Sequence, residues 1–196
     1  IILCHLMGAA SGKPLCGWGD RRVSGVKILD NIILIGMPGA GKRSVGVVLA
    51  KAMGYDFLDV DLVIQEREGA VLQEVLDRLG MEAFLDAESR AIQSLSCGRT
   101  VIAPGGSCVC REQAMVHLRR LGTVVYLALS QREVEGRIHN LATRGIAMAP
   151  GQTIADVYRY REPLYRRYAH LTVPADGQSR EAVPFTPLTP PTTATA

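Results

Sequence analysis

Gly36-Met37-Pro38-Gly39-Ala40-Gly41-Lys42-Arg43-Ser44 decides how this 196-residue chain is read. It follows the apolar run Asn31-Ile32-Ile33-Leu34-Ile35 and precedes an amphipathic helical pattern from Val45 to Met53. A β-branched strand, a glycine-rich turn and a helix, in that order, make a phosphate-binding loop. The glycines let successive backbone N–H groups converge on phosphate oxygens, and the helix N-terminus adds its partial positive charge. Lys42 reaches the β- and γ-phosphates of a nucleotide, so Gly36, Gly39, Ala40, Gly41, Lys42, Arg43 and Ser44 are the candidate nucleotide-binding residues. The motif asks for Ser or Thr directly after the lysine, whose hydroxyl ligates Mg²⁺. Here Arg43 holds that position and Ser44 follows one residue late.

Outward from this loop, apolar runs and helical patterns alternate. Ile32 to Ile35, Phe57 to Val60, Val101 to Ala103, Val124 to Leu129 and Leu171 to Val173 read as strands. Between and after them, Val45 to Met53, Leu62 to Glu68, Leu72 to Leu79, Glu82 to Leu95, Glu112 to Leu121, Arg132 to Leu141 and Ile154 to Tyr168 read as helices. Strands that are apolar throughout and separated by helices are buried on both faces. They predict a three-layer α/β/α domain, doubly wound around a parallel five-stranded sheet.

The domain is expected over residues 31–176. Residues 1–30 form an N-terminal extension without the basic start and sustained apolar core of a signal peptide. Residues 177–196 are rich in Pro and Thr, a composition expected to stay disordered. A 47% hydrophobic composition supports one globular core, and no apolar stretch is long enough to span a bilayer. The net charge of +3 is scattered, which argues against nucleic acid as a partner. Five cysteines, odd in number and without a CxxC pair, fit reduced thiols in a cytoplasmic protein rather than a zinc site.

In a doubly wound sheet, ligands sit at the carboxyl ends of the strands, which sorts the remaining polar residues. Asp59 and Asp61 follow the second strand: two carboxylates at i and i+2 suit metal-bound water, a substrate proton or substrate hydroxyls. Taken alone, Asp61 reads as the N-cap of a helix starting at Leu62. Gly105 and Gly106 follow the third strand, where they either let a ligand approach the backbone or simply turn the chain. The segment from His139 to Gly151 is longer than an ordinary connection and reads as a lid, with Arg144 placed to stabilise charge spreading over a transferred phosphoryl group. Arg161 opens Arg161-Glu162-Pro163-Leu164-Tyr165-Arg166-Arg167 inside a helical pattern, where Pro163 predicts a kink or break.

The order GMPGAGK, DVD, VIAPGG, VVYLALS, an Arg-bearing lid and REPLYRRYA resembles the shikimate kinases, P-loop kinases of the nucleoside-monophosphate-kinase-like fold, from about Asn31 to Val173. The resemblance implies a small-molecule kinase with a lid. Its cofactors would be ATP and Mg²⁺, its acceptor the 3-hydroxyl of shikimate, and its place aromatic amino-acid biosynthesis. It also implies a cytoplasmic enzyme, expected as a monomer. It assigns Lys42, Asp59 and Arg144 to catalysis, Arg137 to the adenine side, and Ser44 and Asp59 to the metal. Asp61, Gly105, Gly106 and Arg161 fall to the acceptor, Arg161 pairing with its carboxylate. Four features depart from the pattern. Arg43 replaces the metal-ligating hydroxyl. The FRxxE element reads Phe84-Leu85-Asp86-Ala87-Glu88, so the arginine that would clamp the carboxylate is Leu85. Ser107 follows two glycines where the family has a third, and the Pro/Thr tail stands where a final helix is expected. These departures leave two further readings: a weakened, nucleotide-binding relative, and a kinase for another small hydroxylated metabolite.

Overall fold

The structure is a computed structural model and describes residues 22–23, 26–27, 29–138, 146–149 and 151–177. Within the N-terminal extension, β1 (Arg22–Val23) and β2 (Val26–Lys27) pair as an antiparallel hairpin separate from the main sheet. The main sheet contains β3 (Asn31–Ile35), β4 (Asp56–Asp59), β5 (Thr100–Ala103), β6 (Gly122–Ala128) and β7 (Leu171–Pro174), in the order β4-β5-β3-β6-β7. Every pairing in it is parallel; Ile33 lies between Ile102 and Val124. All five residues of β3 are buried, which is why this strand shows no polar alternation. Around the sheet lie α1 (Lys42–Met53), α2 (Val60–Glu68), α3 (Leu72–Leu79), α4 (Met81–Gln93), α5 (Glu112–Leu121), α6 (Gln131–Arg137) and α7 (Ile154–Tyr168), completing the expected three-layer α/β/α architecture.

At the end of the sheet away from the phosphate loop, Asn31 acts as a polar clasp. Its Nδ2 donates to the carbonyls of Cys97 (2.8 Å) and Leu121 (2.9 Å), and its Oδ1 accepts from the Thr100 amide (3.0 Å). One buried amide thereby aligns the starts of β5 and β6 on the central strand, and the opposite ends of these strands open side by side into the site.

Several boundaries differ from the sequence expectation. Strand β4 ends at Asp59 and α2 starts at Val60, two residues before Leu62. Asp59, not Asp61, is the N-cap: its Oδ1 accepts from the Asp61 amide at 3.0 Å, so the first carboxylate nucleates the helix and the second is carried in the first turn. Helix α6 ends at Arg137, while residues 139–145, with Arg144, lie outside the described residues, as do residues 178–196 of the expected tail. Pro163 does not break α7. The helix runs on to Tyr168, held by a Thr153–Asp156 capping box and by the buried Val157, Arg161, Tyr165 and Tyr168. That packing outweighs the roughly 3 kcal/mol that an interior proline costs.

Candidate active site

The carboxyl ends of β3, β4 and β5 converge on one cleft of about 710 Å³. Leaving β3, the chain turns through Gly36 to Gly41, and Gly41 caps α1 in the left-handed region (φ 86°), a conformation that a side chain would strain. The Ala40 amide closes this turn on the Met37 carbonyl at 3.0 Å, so it is spent within the loop. Lys42 opens α1 and folds back: its Nζ donates to the carbonyls of Gly36 (2.9 Å) and Met37 (3.2 Å). Arg43 and Ser44 follow in the first turn of α1, and both line the cleft.

Across from the loop stand the carboxylates. Asp59, at the end of β4, accepts from Arg43 Nε through Oδ2 while its Oδ1 caps α2. Asp61 also lines the cleft, so the two acids do reach one space, although one belongs to a strand end and the other to a helix. After β5, Gly105 and Gly106 complete the wall. A Cβ on Gly105 would sit 2.3 Å from Glu88 Oε1, so any larger residue there would displace the Glu88 carboxyl. Gly106 packs against Pro38 of the phosphate loop and accepts at its carbonyl from the Tyr165 hydroxyl. Arg161, projecting from α7 and 2% exposed, donates to the Ala147 carbonyl and lines the same cleft. Among the described residues it has no carboxylate within ion-pair distance.

Most sequence-predicted site residues are therefore brought together: Gly39, Gly41, Lys42, Arg43, Ser44, Asp59, Asp61, Gly105, Gly106 and Arg161 share the cleft. Gly36 lies beneath it as an acceptor for Lys42. Arg137 is not in the cleft lining; it flanks the loop beside Gly39 and is held by Glu133 (3.0 Å) and the Ala175 carbonyl (3.2 Å). Arg144 lies outside the described residues.

Glu88 was not among the site residues expected from sequence. It is buried on α4, accepts from Ser107 Oγ at 2.6 Å and faces the cleft. Burial pushes its carboxyl up to about 7, against the pull of the Ser107 hydrogen bond. Burial and then the charge of Asp59 raise Asp61, while burial lowers Lys42. A readable signal did exist: Glu88 falls at i+4 from Phe84 on the apolar stripe of α4, where a carboxylate needs a reason to be. Ser107, where the family pattern has glycine, is that carboxyl's partner. Leu85 is no part of the main cleft. It is 2% exposed in the core and lines a smaller cleft of about 180 Å³ that shares Arg161.

The cleft carries both signs of charge: Lys42, Arg43 and Arg161 line it together with Asp59, Asp61 and Glu88. Such a cleft can hold a polyphosphate against a small hydroxylated anion.

A family profile described as shikimate kinase matches residues 38–186. The shikimate kinase of Paracidovorax citrulli (strain AAC00-1) is 38% identical over 148 residues, covering 73% of this chain and 81% of its own. That of Thermodesulfovibrio yellowstonii (strain ATCC 51303 / DSM 11347 / YP87) is 34% identical over 158 residues, covering 79% and 91%. Among solved structures, shikimate kinase from Acinetobacter baumannii in complex with shikimate superposes with a TM-score of 0.74 at 30% identity, over 80% of this chain and 89% of that one.

Proposed function

Since this chain belongs to the shikimate kinase family, we propose that it transfers the γ-phosphate of ATP to the 3-hydroxyl of shikimate. The observation that carries this reading is the single cleft shared by the Lys42 loop and the buried Arg161. Lys42 exchanges its loop carbonyls for the β- and γ-phosphate oxygens, joined by the loop amides and the α1 N-terminus. Arg161, without a carboxylate of its own among the described residues, pairs with the acceptor carboxylate. Asp61 accepts from acceptor hydroxyls, Asp59 stands near the reacting one, and the glycines at 105 and 106 let the acceptor ring approach the backbone. Arg137 flanks the adenine side, and Arg144 takes the γ-phosphate. A cytoplasmic, monomeric enzyme belongs to the same reading. It is supported by the free thiols of Cys97, Cys108 and Cys110 and by a cleft whose described lining brings the phosphate loop, the carboxylates and Arg161 together from one chain. No helix among the described residues is long and apolar enough to cross a membrane.

Magnesium enters this reading as the counter-ion of the triphosphate, where it neutralises phosphate charge. The side chains expected to hold it, Ser44 and Asp59, do not fit a protein-held ion as they are folded. Both oxygens of Asp59 are engaged, one by Arg43 and one by the Asp61 amide. Among the described residues, no group of three or more His, Cys, Asp or Glu side chains converges on a metal position.

A coupled ADP-release assay with ATP·Mg²⁺, with and without shikimate, tests the reading; shikimate-dependent turnover is the expected result. Lys42→Ala should weaken nucleotide binding about ten- to a hundredfold by calorimetry, the loss of one or two charged hydrogen bonds. Equal affinity in both proteins would remove Lys42 from the phosphate site.

A further inference from the structure

We propose that Arg43 is a protein-borne cation at the divalent-ion position of the phosphate loop, so that this chain binds nucleoside di- and triphosphates without needing a divalent metal. The inference deepens the reading above and rests on it. Arg43 is the residue after Lys42, where the motif's hydroxyl would meet a metal ion, and its Nε is bonded to Asp59, the carboxylate expected to share that ion. Asp59 is not free to turn away. Its side chain is only 4% exposed and its other oxygen caps α2. The Arg43 side chain is 62% exposed and lines the cleft. Only one of its five N–H donors is spent on Asp59, and the two terminal nitrogens remain for phosphate oxygens.

Electrostatics favours the same conclusion. A bare Asp59 would repel a phosphate chain unless a metal lay between them, whereas the Arg43–Asp59 pair is neutral overall and presents N–H donors to the cleft. The work of a bridging ion, cancelling that carboxylate and giving the phosphates a cation to bond, is then done by the chain itself.

The test is calorimetric binding of ADP and of ATP to the intact protein, once with Mg²⁺ and once with a chelator in its place, for wild type, Arg43→Ser and Arg43→Lys. Wild-type affinity should change by less than about threefold between the two conditions. Arg43→Ser should lose about tenfold or more in chelator and regain it with Mg²⁺, because a hydroxyl then stands where the metal can use it. Arg43→Lys, which keeps the charge, should stay nearer wild type. A wild type that loses tenfold or more in chelator would overturn the inference while leaving the kinase reading intact. So would an Arg43→Ser protein that matches wild type in both conditions. Absence of nucleotide binding in every condition would overturn both.

Discussion

Glu88 stores a proton in the cleft, and that has a measurable cost. A carboxyl near 7 in the fold, against an ordinary value of 4.5, binds its proton more tightly than in the unfolded chain. Stability therefore falls as pH rises from about 4.5 to about 7 and is level with respect to this group above that. Glu88→Gln, which stays neutral, should remove the fall. Denaturant midpoints at about pH 5 and about pH 8 should show the variant gaining on wild type at the higher pH, by on the order of 3 kcal/mol. Asp61, also raised, carries the same sign. His170 carries the opposite one, since burial lowers it and its Nδ1 must stay neutral to accept from the Val124 amide. The wild-type–variant difference isolates Glu88 from both. Lys42, Asp59, Asp61, Gly105 and Gly106 were legible in sequence because each follows a strand that ends at the cleft. Glu88 showed only that it is buried, as a carboxylate on an apolar stripe; it reaches the cleft from the middle of a helix, where sequence order gives no notice of what lies opposite.

Helices were legible as segments but not in what their ends do. Apolar periodicity places α3, α5 and α7 at their observed bounds, yet nothing in it distinguishes Asp59 from Asp61 as the cap. The choice follows from β4 stopping at Asp59, a matter of pairing with β5. The same limit applies to α4. Pattern resemblance sets Leu85 where an arginine would clamp a carboxylate, but the turn of the helix puts that side chain into the core. An arginine introduced there would share the smaller cleft with Arg111 and Arg161, where the one lining carboxylate, Glu82, is already paired with Arg111. Leu85→Arg should therefore cost about 3 kcal/mol or more in urea unfolding and should not lower the KM for shikimate. A stable variant with improved KM would mean that α4 can present this position to the acceptor.

For the molecule as a whole, five parallel strands were predictable, but their order was not, since apolar runs carry no record of neighbours. The insertion of β5 between β4 and β3 is fixed in part by Asn31, whose amide reaches Cys97, Leu121 and Thr100 at once. Read in sequence, Asn31 is only the first residue of an apolar run. Asn31→Ala strands two part-buried carbonyls and one buried amide and should lower stability by about 2 to 3 kcal/mol in denaturant unfolding, with nucleotide affinity nearly unchanged because the clasp lies at the far end of the sheet. At the near end, Tyr165, whose hydroxyl holds Gly106, stacks on Tyr126 at 5.2 Å between ring centroids. Burial keeps both phenols protonated well beyond the ordinary range. Gly106, in the wall of the cleft, is therefore tied to a buried pair of phenols whose ionisation in alkali, read from the near-ultraviolet phenolate band, should be delayed until the packing around them opens.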